Sequence, residues 1–253
     1  MGSAMLAGWL SDGLPPTSVY VIDPAPSDWL QCTGVSINGD LSPSPAIALI
    51  AVKPQMMGAA LPQLAAMGGG DTLFVSVAAG TPIAQFEAVL GAHSPIIRAM
   101  PNTPAAVGRG ITAIIGNDHA TAAHLNMAQG LLEAVGQVVQ LEHEAQMDAV
   151  TGVSGSGPAY VFYMIDCLAA AAEAQGLSPD LAMQLAKATV AGAGALAEQA
   201  EDTPEQLRIN VTSPGGTTAA GLTHLMAEPD GLQPLMQRTV AAAADRSREL
   251  ANG

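Results

Sequence analysis

The sequence predicts an α/β domain over residues 1–144, built on a mostly parallel sheet, and an all-α domain over residues 145–253. Two observations carry this. Up to the middle of the chain, short apolar runs alternate with stretches long enough for helices, the pattern of a doubly wound, Rossmann-like sheet with helices on both faces. From about Ala145 onward the texture changes to long Ala/Leu/Met-rich segments with few strand signals. A third observation sets the scale: 253 residues, 49% of them apolar, can bury one large core or two moderate ones.

In chain order, residues 3–10 read as a helix and residues 19–22 as a short strand. Residues 46–52 follow as a strand, 57–67 as a helix, 73–77 as a strand, 82–90 as a helix, and 96–100 and 111–115 as strands. Ligands of such sheets collect at the carboxyl ends of the strands, which places Asp23, Lys53, Ala78 to Gly80 and Pro101 to Thr103 as walls of a cofactor site. In the second half, residues 161–175, 179–200, 216–227 and 232–250 suit helices. Their Ala-rich faces permit close packing, and a domain of apolar helices completes its core readily by pairing with a second copy.

The formal charge of −14 argues against nucleic acid or an anionic membrane as a partner. Acidity is read as serving solubility. Two cysteines, Cys32 and Cys167, suggest neither a disulfide framework nor a zinc knuckle, which fits a reducing cytoplasm. The five histidines lack metal-ligand spacing, so no metal is expected. The apolar start has no basic n-region, and the long Ala-rich run 181–200 is interrupted by Gln184, Lys187, Glu198 and Gln199, so neither a secretory signal nor a membrane span is read.

The run Asn210-Val211-Thr212-Ser213-Pro214-Gly215-Gly216-Thr217-Thr218 is the most informative stretch. Pro214 fixes one φ angle, the two glycines accept positive φ, and successive amides can then converge on one small carboxylate at the mouth of a helix. The same residues also make an ordinary capped helix start. A second cluster, Thr151-Gly152-Val153-Ser154-Gly155-Ser156-Gly157-Pro158-Ala159-Tyr160, precedes a long apolar run and reads as another helix entered through a tight turn. Upstream lie Ala51-Val52-Lys53-Pro54-Gln55, Ser76-Val77-Ala78-Ala79-Gly80 and Arg98-Ala99-Met100-Pro101-Asn102-Thr103-Pro104-Ala105, each just after a strand-like run.

In this order and spacing, the five segments resemble pyrroline-5-carboxylate reductase, and the resemblance covers nearly the whole chain. It implies reduction of 1-pyrroline-5-carboxylate to proline by hydride from NADPH, with NADH possible. It further implies a cytoplasmic homodimer, formed through the C-terminal dimerisation domain and able to assemble into a larger ring. Ser213 and the amides of Gly215, Gly216 and Thr217 are implied to hold the substrate carboxylate. Thr218 is implied to stand beside the ring nitrogen as the catalytic residue, with Asn210 and Glu144 lining the same pocket.

The implied cofactor residues are Gly2, Ser3, Asp23, Asn38, Val52, Lys53, Pro54, Ala78, Ala79 and Asn102. Several keep a second reading. Asp23 suits the ribose hydroxyl of NAD or a turn before Pro24, Lys53 a solvated loop, Asn102 a turn, and Glu144 a solvated acid.

The family's matching start is a strand and a glycine turn ending in Asn-Met-Gly, of which Met1 and Gly2 match only the end. The first strand and the first glycines are therefore missing from this sequence, and the natural product is expected to extend upstream by about ten residues, the length of a strand and its turn. An idle homologue serving as a binding or assembly protein is the alternative from another class. A β-hydroxyacid dehydrogenase is disfavoured, because no lysine occurs between Pro54 and Ala186 where that chemistry needs one.

Overall fold

The computed structural model describes residues 1–39 and 44–252, which form two compact units. The first spans Met1–Gly155 and takes in the chain again from Ala243, and the second is Ser156–Ala242. The first unit contains α1 (Gly2–Ser11), β1 (Tyr20–Val21), α2 (Asp28–Gln31), β2 (Ser36–Ile37), β3 (Ile47–Ile50), α3 (Met57–Ala60), β4 (Leu73–Ser76), α4 (Ile83–Leu90) and β5 (Ile96–Met100). It continues with β6 (Gly110–Gly116), α5 (Ala122–Glu133), β7 (Gly136–Gln140) and α6 (Met147–Val150). The helical unit holds α7 (Gly157–Ala174), α8 (Pro179–Gln199), α9 (Pro204–Asn210), α10 (Thr217–Leu225) and the first half of α11 (Leu232–Asn252).

Among the described residues, β3-β4-β5-β6-β7 make one sheet, parallel throughout except for the antiparallel β5–β6 pair. The parallel pair β1–β2, with Tyr20 opposite Ser36, forms a separate small sheet. Alternation along β4 explains the layering. Leu73 and Val75 face a cluster with Met5 of α1 and Ala128 and Leu132 of α5, whereas Phe74 faces Met57, Leu61, Phe86 and Leu90 around α3 and α4. Every residue of β4 is buried, as a parallel strand covered on both faces requires. The expected α/β unit with helices on both faces is thus present, and its core side chains each contribute about 1.5–3 kcal/mol through burial.

Local differences have local causes. The expected helix over 57–67 is broken: after α3 the chain tightens into a 3₁₀ stretch, Leu61–Met67, in which Pro62 offers no amide to a helical ladder. Strands β2 and β7 and helices α2, α5, α6 and α9 lie outside the elements expected from the sequence. Helix α5 is entered through a capping box in which Thr121 accepts from the His124 amide and the His124 ring from the Thr121 amide. It is tied to α1 by the Trp9 indole, which donates to the Leu131 carbonyl at 2.7 Å.

The segment from Thr151 to Tyr160 does open a helix, α7, but through a π-helical turn and not through the expected tight turn. α6 runs on through a π-helical turn, Thr151–Gly155, and α7 starts two residues later. The hydroxyls of Thr151 and Ser154 donate back to the Met147 and Val150 carbonyls at 2.8 and 3.1 Å, so they brace the helix. A side chain at Gly155 would meet the Met100 Cε at 2.6 Å, so the glycine permits the close approach of β5's end. No helix of the described residues is long and apolar enough to cross a membrane.

Candidate active site

The two units each present one cluster of the sequence-predicted residues. In the sheet unit the cluster follows the carboxyl ends of β1, β3, β4 and β5. Gly2 and Ser3 open α1, whose first intrahelical bond runs from the Met5 amide to the Met1 carbonyl, so the amides of Gly2, Ser3 and Ala4 head the helix with no intrahelical acceptor. Asp23 follows β1, and its carboxylate accepts the Ala25 amide at 2.9 Å, which makes the Asp23–Pro24–Ala25 bend an Asx turn.

Asn38, at a φ of 52°, pairs its amide with the Asp23 backbone in both directions. Its Oδ1 accepts the Asp23 N–H at 3.0 Å and its Nδ2 donates to the Asp23 carbonyl at 2.8 Å. The small sheet therefore ends in a side-chain clasp that fixes where Asp23 stands.

Val52 packs against the α3–α4 core cluster, and Lys53 is exposed at the entry of the turn Pro54–Met56, where its carbonyl accepts the Met56 amide. Ala78 is buried, Ala79 is half-buried, and together they leave a wall of small side chains after β4. Asn102 is buried after β5, and its Oδ1 accepts the Ile111 amide at 2.9 Å, which ties that loop to β6.

Glu144 belongs to the sheet unit. It opens a 3₁₀ turn, Glu144–Gln146, and its Oε1 accepts both the Arg98 Nη1 at 2.5 Å and the Ile83 amide at 2.8 Å. The carboxylate thus caps α4 while neutralising a nearly buried arginine. Arg98 was missed as a functional candidate, although a lone cation within the apolar run Ile96-Ile97-Arg98-Ala99-Met100 is a signal, since a buried charge demands a partner.

In the helical unit, the other cluster is the turn before α10. The Gly216 amide donates to the Ser213 carbonyl at 3.0 Å, closing a tight turn, and Gly215 within it has a φ of 71°, a conformation that favours glycine. Because the Gly216 amide is engaged, the donors at the helix mouth are those of Thr217, Thr218 and Ala219, since α10's own bonding starts from the Ala220 amide. Ser213, Thr217 and Thr218 are exposed. Asn210 ends α9 with its Oδ1 accepting from Gln206 at 2.8 Å and its Nδ2 donating to Asp202 at 3.1 Å. Among the described residues, no group of three or more His, Cys, Asp or Glu could hold a metal ion.

The arrangement offers an anion-binding helix mouth with hydroxyls in one unit. The other offers parallel strand ends lined by small and amide side chains, to which an extended dinucleotide is suited.

Comparison with known proteins points the same way. The family signature described as pyrroline-5-carboxylate reductase dimerisation matches residues 144–250. The pyrroline-5-carboxylate reductase of Pseudomonas aeruginosa is 38% identical over 257 residues, covering 99% of this chain and 93% of that protein. A solved pyrroline-5-carboxylate reductase from Coxiella burnetii is 32% identical and superposes with a TM-score of 0.91, covering 99% of this chain and 94% of that one. The Plasmodium falciparum pyrroline carboxylate reductase, solved with NADP bound, is 27% identical with a TM-score of 0.85, covering 99% and 94%.

Proposed function

The chain belongs to the pyrroline-5-carboxylate reductase family, and from that premise we propose that it reduces 1-pyrroline-5-carboxylate to L-proline in the cytoplasm, as the last step of proline biosynthesis. The reductant is NADPH, with NADH able to replace it. The observation that carries the reading is the turn at residues 213–218. It combines three helix-mouth amides with three exposed hydroxyls on a backbone stiffened by Pro214 and a left-handed Gly215.

The coenzyme, when bound, would supply a hydride for the imine carbon, with the C=N π electrons passing to the ring nitrogen, which stays in the ring and takes a proton to become the secondary amine of proline. The protein's part is alignment and charge management. Ser213, Gly215 and Thr217 hold the substrate carboxylate, the Thr217 amide and hydroxyl donating to it, while the amide of Gly216, expected to bind it too, instead closes the turn onto the Ser213 carbonyl. The Thr218 hydroxyl orients the ring nitrogen and relays its proton. Asn210 and Glu144 line the substrate pocket.

On the coenzyme side, the uncapped amides of Gly2 and Ser3 favour the diphosphate. Asp23 and Asn38 serve the adenosine end, and Val52, Lys53, Pro54, Ala78, Ala79 and Asn102 line the path to the nicotinamide. The residues fit the group: small side chains leave room after β4, and the Asn38 clasp fixes the β1 end.

The helical unit pairs two copies into a homodimer, and dimers build a larger ring. Its exposed apolar helices and its match to a dimerisation signature support the pairing.

Gly216→Val tests the carboxylate turn. A Cβ at Gly216 would stand 3.1 Å from the Ser213 carbonyl oxygen and 3.4 Å from its Cβ, so a branched side chain forces the turn open. The KM for pyrroline-5-carboxylate should rise roughly tenfold or more, while the KM for NADPH moves by less than about threefold. An unchanged substrate KM would remove the turn from the site.

A further inference from the structure

The end of α11 belongs to the sheet unit, which takes in the chain again from Ala243. One face of this stretch turns inward: Ala244 and Ser247 are buried one turn apart, and Leu250 follows them at the same spacing. The charged residues around that face pair along the helix itself, Arg248 with Asp245 and Arg246 with Glu249.

The inner face is fastened at two places within the sheet unit. The Ser247 hydroxyl donates to Oδ1 of Asp148, near the start of α6, at 2.6 Å. A serine inside a helix commonly donates to a carbonyl of its own preceding turn, so this bond, made across 99 residues of sequence, is a docking contact. Leu250 abuts the loop that follows β4. A Cβ on Gly80 would stand 3.0 Å from the Leu250 Cβ and 3.4 Å from its carbonyl carbon. Gly80 also has a φ of 71°, so the backbone and the helix end pressed against it both call for glycine.

Ala78 and Ala79 lead directly into Gly80. Their methyl groups form no hydrogen bonds that could anchor the loop, and glycine is the residue with the most backbone freedom to lose. The Ala78 amide is held from the strand side, where it donates to the Ser76 hydroxyl at 3.3 Å. The far side of the loop is backed by α11.

Resting on the reading that Ala78 and Ala79 line the path of the coenzyme, we propose that the end of α11 is a strap for that site. Ser247 and Leu250 are positioning residues: they hold the Ala78–Gly80 loop in its binding conformation before NADPH arrives. A loop ordered in advance loses less conformational freedom on binding, so the strap acts on the coenzyme's Kd and leaves the chemical step alone.

Variants of the full chain test the strap. Ser247→Ala removes the hydroxyl, and Ser247→Ala combined with Leu250→Gly removes both contacts. Leu250→Ala keeps the Cβ that meets Gly80, and Asp148→Asn keeps an acceptor oxygen. The readouts are the Kd for NADPH from nicotinamide fluorescence, kcat and the KM for pyrroline-5-carboxylate at saturating coenzyme, amide hydrogen exchange over residues 78–81, and the thermal midpoint.

Ser247→Ala should raise the Kd for NADPH by about threefold or more and the double variant by about tenfold or more, with faster exchange over residues 78–81 in the coenzyme-free chain. Both should keep kcat and the KM for pyrroline-5-carboxylate within about twofold of wild type. Leu250→Ala and Asp148→Asn should bind NADPH within about twofold of wild type. A merely structural contact would instead lower the thermal midpoint and move all the constants together.

An unchanged Kd for NADPH in Ser247→Ala and the double variant, unaltered exchange over residues 78–81, or an even loss in every constant overturns the strap. If the double variant fails to fold, Ser247→Ala decides by the same criteria. A wild-type chain that binds neither NADPH nor NADH overturns the functional reading and the strap together. Bound NADPH that leaves residues 78–81 unprotected overturns the placement of the loop at the coenzyme, and the strap with it. Protection of residues 78–81 in a wild type whose variants bind equally tightly overturns the strap alone.

Discussion

The sheet unit closes its own core, and the helical unit does not. In the first, Leu73, Phe74, Val75, Phe86, Ile96 and Ile97 are fully buried between helices on two faces. In the second, the buried apolar residues among those described are three alanines, Ala169, Ala182 and Ala186, while Phe162 and Tyr163 are 60% and 71% exposed and Leu196, Val211 and Met226 also face outward. The alanines let α7 and α8 approach closely but bury little area, so the larger apolar side chains of that unit await another surface. A unit of this composition is built to finish its core with a second copy, in keeping with its match to a dimerisation signature.

That contrast can be broken most forcefully in the sheet. Phe74→Ala empties a fully buried site on β4 and should cost about 3–5 kcal/mol of unfolding free energy, a large part of the roughly 5–15 kcal/mol typical of a domain. Chemical denaturation would show it, and a loss below about 1 kcal/mol would mean the core tolerates a void there.

The helical unit should respond differently. Phe162→Asp, at a side chain already exposed in the single chain, should leave the sheet unit's unfolding nearly unchanged while weakening self-association by about 2–4 kcal/mol. Sedimentation over a concentration series would reveal a shift toward monomer. An unaltered oligomer would place the pairing face elsewhere on the unit.

The same contrast explains what could be read in the sequence. Strands β4, β5 and β6 were legible because a strand buried on both faces is a continuous apolar run, and the run can be seen without knowing its neighbours. β7 was not, because Gly136-Gln137-Val138-Val139-Gln140 carries only two apolar residues and is partnered through its backbone to β6. α5 was hidden because His124, Asn126, Gln129 and Gly130 dilute its apolar stripe, though its capping box fixes the start.

At the site, the 213–218 turn was legible because proline and paired glycines dictate backbone geometry wherever they stand. The engagement of the Gly216 amide by Ser213 was not, since which amides a turn leaves open depends on its dihedral angles. The Arg98–Glu144 pair was equally invisible: its members lie 46 residues apart, and no local pattern joins a strand cation to a distant turn. In the 151–155 segment, hydroxyls and glycines suggested a tight turn before a helix, whereas the chain makes a π-helical turn whose hydroxyls donate back to the carbonyls of α6.

The central claim is that this chain delivers hydride to a cyclic imine acid. Mixing the full chain with 1-pyrroline-5-carboxylate and NADPH, and following the loss of reduced nicotinamide together with the appearance of proline, tests it most directly. Proline should accumulate in equal amount to the coenzyme oxidised, with NADH supporting the same conversion. Absence of proline with both coenzymes, from a chain shown to be folded and oligomeric, would contradict the account.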